Sequence, residues 1–156
     1  MKKKYLAGCL IALAVLLGLC VLIQLPVLWM QNNPPVVREP NWDSPQTRAL
    51  AQRACFDCHS NETNWAWYTR VPPTSFLTTL DVIRGRRHLN FSEWGVASRG
   101  GEQGEGDEGG EGIGEMGEII MEGEMPPSNY LPLHPEARLT NAEKLQLIQG
   151  LRQSLR

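Results

Sequence analysis

The chain is 156 residues long, enough for one folded domain of on the order of 100 residues plus a short additional element, so a second domain is not expected within it. Charged residues make up 21% and the formal net charge is -2, which lacks the basic excess that tracks a phosphate backbone; nucleic acid is not an expected partner. The four cysteines and three histidines are therefore the first places to look for chemistry.

Lys2, Lys3 and Lys4 precede an apolar run from Tyr5 to Trp29 in which Gln24 is the only strongly polar interruption. A helix of about 20 such residues spans a bilayer, and the lysines favour a cytoplasmic N-terminus, so Gln31 onward is expected outside the cytoplasm. A cleaved signal peptide has a shorter apolar core, about 7–15 residues, followed by small residues. The longer run here ends in Leu25-Pro26-Val27-Leu28-Trp29-Met30, which favours an uncleaved anchor over 1–30. Leu6-Ala7-Gly8-Cys9 has the form of a lipobox but stands before the apolar run, and Cys9 and Cys20 read as small apolar residues within the membrane.

Residues 31–42 are rich in Pro and Asn and have no hydrophobic period, which predicts an extended tether. The folded domain is expected over 43–156. Ser44-Pro45 is a helix start, and Leu50, Ala51 and Ala54 carry a short apolar stripe into Cys55. A second helix is predicted from about Ser75 to Gly85, with Phe76, Leu80 and Ile83 on its apolar face. Nine of the 15 glycines fall between Gly100 and Gly117, a Gly/Glu run expected to form a flexible loop; an acidic docking patch there is the lesser reading. Periodicity returns at Ile113, Met116, Ile119 and Ile120, and Gly123 suits the end of that helix. Thr140 and Glu143 form a capping box before Leu145, Ile148, Leu151 and Leu155. No segment alternates with period two for long enough to make a sheet, so the domain is expected to be all-α.

Cys55-Phe56-Asp57-Cys58-His59 is a C-x-x-C-H motif. Two thiols at that spacing can form thioethers with the two vinyl groups of one haem, and the following imidazole can reach the iron. The bland alternatives are a structural disulfide, a zinc site completed by His88, His134 or a carboxylate, and a thioredoxin-like redox pair, for which the βαβ context is missing. One covalent haem c held by Cys55, Cys58 and His59 is the expected cofactor. For the sixth ligand the chain offers Met116, Met121, Met125, His88 and His134. Met125 is preferred because it follows a helix and Pro126-Pro127 stiffens its backbone; Met116 and Met121 fall within the predicted helix, and His88 and then His134 are the alternatives. Trp65, Trp67, Tyr68, Phe91 and Trp94 are candidates to wall the haem, and Arg84, Arg86 and Arg87 to pair with its propionates, although core filling and a solvated basic face explain each singly.

Longer blocks around these residues carry a family resemblance. They are Cys55 through Thr63, Trp65-Ala66-Trp67-Tyr68, Gly85-Arg86 with Leu89 through Trp94, Gly123-Glu124-Met125-Pro126-Pro127 with Tyr130, and Leu133 through Thr140. Over about Ser44 to Leu151 the chain resembles the small haem-binding domain of bacterial membrane-anchored and exported proteins of the cytochrome c type. The resemblance implies haem attachment through Cys55, Cys58 and His59, with Met125 at the family's Met-Pro position, and it implies no catalysed reaction. The Gly/Glu run around Gly100 to Gly112 departs from the pattern as a local expansion. The expected whole is a cytochrome c-like helical domain around one haem behind a single transmembrane helix, held on the periplasmic side of a bacterial cytoplasmic membrane. Its expected role is single-electron transfer with redox protein partners rather than an enzymatic reaction. A ligand sensor or peroxide-type enzyme with a labile sixth ligand, and a haem subunit of a larger oxidoreductase complex, are the competing roles. A single C-x-x-C-H weighs against a multi-haem wire or a two-haem peroxidase.

Overall fold

The computed structural model describes residues 2–95 and 111–155, and these form helices with no sheet; one isolated parallel bridge joins Arg38 and Glu93. The helices are α1 (Lys2–Met30), α2 (Pro45–Ala54), α3 (Phe56–His59), α4 (Thr74–His88), α5 (Glu111–Glu122) and α6 (Asn141–Ser154), with 3-10 turns at Trp67–Arg70 and Pro135–Ala137. Two compact units divide the chain, one of Met1–Asn32 with Trp65–Leu80, the other of Asn33–Asn64 with Asp81–Arg156.

In the first unit, α1 contains a 26-residue stretch, Tyr5–Met30, long and apolar enough to cross a membrane. Gln24 is buried on this helix because its amide is occupied: Ser75 Oγ donates to Gln24 Oε1 at 2.8 Å, and Gln24 Nε2 donates to the Arg70 carbonyl at 3.3 Å. Gln31 Nε2 donates to the Thr69 carbonyl and to Thr79 Oγ1. A buried amide without such partners would cost several kcal/mol, on the order of 2–7; these four acceptors and donors are what lets the 65–80 segment sit against α1.

The second unit is built on α6, which packs against α2 and α5. Its core comprises Leu50, Ala51, Phe56, Phe91, Ile120, Leu139, Leu147, Ile148, Leu151 and Leu155. Burying a side chain of this size contributes about 1.5–3 kcal/mol. Ser44 caps α2 by accepting the Thr47 N–H at 3.2 Å. The capping box of α6 forms as expected, with Thr140 N–H on Glu143 Oε2 at 2.8 Å and Glu143 N–H on Thr140 Oγ1 at 3.3 Å. Gly150 lets α2 and α6 approach closely, since a Cβ there would collide with the Thr47 side chain. Gly123 closes α5 at φ +80, a left-handed conformation open to glycine.

Three expectations change. Residues 31–42 lack helix, but the later part is not a free tether: Val37 and Arg38 N–H groups donate to the Ser92 carbonyl, and Trp94 N–H to the Arg38 carbonyl. Trp42 then packs on Phe56 and Phe91, its ring 5.4 Å from the latter, so this stretch belongs to the core it was expected to lead into. Helix α4 runs three residues past Gly85, and its buried positions are Ser75, Thr79, Val82 and Gly85 rather than an apolar Phe76, Leu80, Ile83 face; Leu80 is exposed. On α6 the packed leucine is Leu147, and Leu145 faces solvent. Residues 100–110 of the expected Gly/Glu loop lie outside the described residues, while the glycines from 112 to 117 are already helical.

Candidate functional site

The C-x-x-C-H residues form their own short helical turn directly after α2. Cys55 N–H donates to the Ala51 carbonyl at 2.8 Å, while the Cys55 carbonyl accepts from Cys58 N–H at 3.1 Å and His59 N–H at 2.9 Å. Winding of this kind places residues three and four apart on one side, which gathers Cys55, Cys58 and His59. Phe56 points the other way and is buried, stacked on Phe91 at 5.6 Å, so an apolar residue inside the motif pins the turn to the core. Ser60 ends the turn by donating to the Phe56 carbonyl at 2.8 Å and accepting the Glu62 N–H at 2.9 Å.

His59 is oriented from α4. Its Nδ1 lies 3.1 Å from the Gly85 carbonyl and 3.2 Å from the Leu89 carbonyl, and only a protonated Nδ1 can bond these oxygens. Nε2 is thereby the nitrogen left with a lone pair. Burial holds the imidazole pKa below its ordinary value, opposed by the two carbonyl bonds, so the ring is neutral near pH 7. The close approach depends on Gly85, where an added Cβ would collide with the Cys58 carbonyl oxygen and stand 3.1 Å from Cys58 Cβ. A helix-interior glycine costs about 1 kcal/mol relative to alanine; here it admits the motif's backbone.

Cys55 and Cys58 are free thiols. Burial pushes Cys55 up to about 12, with the neighbouring Cys58 adding to it. Cys58 rises to about 11, chiefly through burial and then through Asp57 and Asp81, with Arg86 opposing. Both are protonated near neutrality.

The loop after the motif is held by polar groups that also bind α4. Arg86 donates to the Ser60 carbonyl at 2.7 Å, to Thr63 Oγ1 at 2.9 Å and to Asn33 Oδ1 at 3.1 Å. Asn61 N–H donates to Ser92 Oγ at 2.9 Å, and Phe91 N–H to the His59 carbonyl at 2.8 Å. Arg86 thus fastens the motif loop, while Arg84 and Arg87 are exposed. Phe91 fills the core and Trp94 packs at its edge, whereas Trp67 is exposed.

Met125 stands in the turn after α5 with its side chain 41% exposed, and Met116 packs on the core while Met121 is exposed. Five residues beyond Met125, Tyr130 Oη donates to Asp57 Oδ2 at 2.7 Å, which ties this loop to the middle of the motif. Asp57 Oδ1 accepts the Asn64 N–H at 2.8 Å, and its backbone carbonyl accepts from Thr63 Oγ1. The His134 ring stacks on Tyr130 at 3.8 Å and 5°, with Nδ1 3.2 Å from Glu136 Oε1; His134 is buried. His88 is exposed at the end of α4. A cleft of about 250 Å³ opens where Asp57, Glu62, Tyr130 and His134 meet. Among the described residues no three His, Cys, Asp or Glu side chains converge as a metal site.

Gly85, Asp57 and Tyr130 escaped sequence reasoning as site residues. All three lie inside the resembling blocks, and a glycine in mid-helix was the available signal for close backbone approach. No curated protein and no solved structure matches the chain. Residues 18–153 match the family model of the haem-binding domain, which spans the motif turn, the α4 segment that orients His59 and the Met125 loop. The chain belongs to the haem-binding domain family.

Proposed function

We propose that one haem c is attached through Cys55 and Cys58, that His59 Nε2 and the Met125 sulfur are its axial ligands, and that the protein passes single electrons at the outer face of a bacterial cytoplasmic membrane. The observation that carries this reading is the setting of His59: an imidazole whose Nδ1 is fixed by the Gly85 and Leu89 carbonyls. Ligating histidines characteristically donate their second nitrogen in this way, which sets the tautomer and the ring plane. When bound, haem supplies a one-electron iron couple whose potential follows its axial ligands.

The chain's own residues fit that group. Cys55 and Cys58 are one turn apart and unjoined, as thioether formation requires. Burial raises both thiols, against the stabilised thiolate that a thioredoxin-like role needs. A zinc site draws four ligands from the protein, and the described residues gather no such set. Met125 is favoured over His134 because His134 is buried against Tyr130 and Glu136, whereas Met125 is accessible and its loop is fastened to the motif through Tyr130. In this reading the all-α domain is a small cytochrome c-like one, and the apolar α1 preceded by three lysines fits a single-pass anchor with the domain on the periplasmic side. Redox proteins of either location are its partners in this reading.

The exposure of Met125 favours one competing role, a sensor or peroxide-type enzyme whose sixth position opens to a small ligand. Visible spectra of the full chain, produced with a haem-attachment system and recorded oxidised and reduced, with and without CO, decide between the two. A low-spin spectrum indifferent to CO, with a weak sulfur-to-iron band that Met125→Ala abolishes, supports the electron carrier. High-spin, CO-binding wild-type protein overturns it, and absence of covalent haem overturns the attachment itself.

A further inference from the structure

The segment Trp65–Leu80 has sixteen residues and one charged side chain, Arg70. Its polar groups are turned inward. Ser75 Oγ bonds Gln24, Thr69 Oγ1 donates to the Ala66 carbonyl, Thr78 Oγ1 donates to the Thr74 carbonyl, and Thr69, Ser75 and Thr79 are buried. Four of its large apolar side chains are turned outward, Trp67 at 78% exposed, Leu77 at 61%, Val71 at 49% and Leu80 at 44%, while Trp65, Tyr68 and Phe76 are half-buried. Scattered apolar residues are normal on a protein surface, but a nearly uncharged segment that satisfies its hydroxyls internally and presents Trp, Val and Leu outward calls for an apolar partner.

Its level along α1 identifies the partner. Tyr5–Met30 comprises 26 residues, about 39 Å at 1.5 Å per residue, against about 30 Å for the hydrocarbon core of a bilayer. With Tyr5 at the inner boundary, the core ends near Gln24. Gln24 is the residue that binds Ser75 and the Arg70 carbonyl, and Gln31, further out, binds Thr69 and Thr79. The segment therefore occupies the span of α1 that emerges through the headgroup layer, the level at which Trp and Tyr are enriched in membrane proteins. Trp29, 84% exposed, shares that level. Arg70 is exposed and suits lipid phosphate.

We propose that Trp65–Leu80 is a second membrane contact, a foot lying in the interfacial layer of the outer leaflet with phospholipid as its partner. Trp67, Val71 and Leu77 enter the headgroup and acyl boundary, and Gln24 with Ser75 locks the foot to the helix at that depth. The 3-10 turn and the start of α4 keep the backbone hydrogen-bonded there, as an apolar medium requires. The proposal rests on α1 as the spanning helix and is independent of the haem reading.

The test uses the full chain in phospholipid nanodiscs with p-benzoylphenylalanine placed singly at Leu16, Trp67, Leu77 or Gln153, irradiated and weighed intact by mass spectrometry. The expected result is a mass gain of one phospholipid at Leu16, Trp67 and Leu77 and none at Gln153, which is exposed on α6. Adducts at Leu16 without adducts at Trp67 and Leu77 overturn the foot while leaving the spanning helix intact. No adduct at Leu16 removes the spanning helix and the foot with it. Loss of covalent haem from the Trp67 and Leu77 variants, again without lipid adducts, overturns the foot and assigns its apolar face to the haem.

Discussion

Gly85→Ala is the most informative single substitution in the second unit. The added Cβ would lie 3.0 Å from the Cys58 carbonyl carbon and 3.1 Å from Cys58 Cβ, where ordinary contact begins at 3.4 Å, and closer still to the carbonyl oxygen. Because the carbonyl oxygen is the nearest atom, helix α4 must retreat from the motif by on the order of 1 Å to restore ordinary packing. The same retreat stretches the Nδ1 contacts of His59, now 3.1 and 3.2 Å, past the range of a good hydrogen bond. Overpacking against rigid backbone costs about 3 kcal/mol and the lost bond about 1, while alanine returns about 1 through helix propensity. The net is a loss of about 3 kcal/mol, equivalent to roughly 12–24 °C for a domain of about 100 residues. Melting of the full chain in detergent, followed by far-ultraviolet circular dichroism, measures it, with Gly114→Ala as control because nothing lies within 4 Å of a Cβ there. If His59 ligates haem iron as proposed, the reduction potential of the haem-loaded variant should rise, since an imidazole without its Nδ1 bond would be a weaker donor to oxidised iron. A Gly85→Ala protein that melts with the wild type and keeps its potential would show that the close approach to Cys58 neither stabilises the fold nor orients His59.

The other predictions test neighbouring contacts. Tyr130→Phe removes the bond to Asp57 Oδ2, and because that carboxylate is partly solvated the cost should be about 1 kcal/mol; a double-mutant cycle with Asp57→Asn should return a coupling of about the same size, and additive losses would sever the proposed link between the motif and the Met125 loop. Glu143 is held down to about 2, first by the Thr140 backbone N–H, then by Arg53 and the Thr140 hydroxyl. Its folded pKa lies below its unfolded one, so its contribution is complete above about pH 4.5 and is lost as pH falls toward 2; acid melting curves of Glu143→Gln should lose less stability over that window than the wild type. Gln24→Leu leaves Ser75 Oγ without its acceptor, a cost of about 1–2 kcal/mol. Hydrogen exchange across Trp65–Leu80 should accelerate by roughly 5- to 30-fold in consequence, and unchanged protection would show that the segment is held by something other than Gln24.

Features visible in the sequence are those whose physics is local. The spacing proposed for attachment to one macrocycle is a local property, so the Cys55, Cys58 and His59 motif is legible within five residues. Helix caps are equally local, which is why Ser44 and the Thr140 with Glu143 box fall where expected, and the apolar length of α1 is a property of one segment alone. Tertiary structure decided what depends on a neighbour. Leu145, Leu147, Ile148 and Leu151 admit two rotations of α6 about its apolar stripe, and packing against α2 and α5 selects the one that buries Leu147. The buried face of α4 is Ser, Thr, Val and Gly, a pattern without hydrophobic signal, because Ser75 and Thr79 meet the Gln24 and Gln31 side chains and Gly85 meets the Cys58 backbone. Asp57 and Tyr130 are 73 residues apart, and a hydrogen bond between them leaves no period or composition to read. The motif names the histidine; only the folded chain supplies the carbonyls of Gly85 and Leu89 that turn its Nε2 free to act as a ligand.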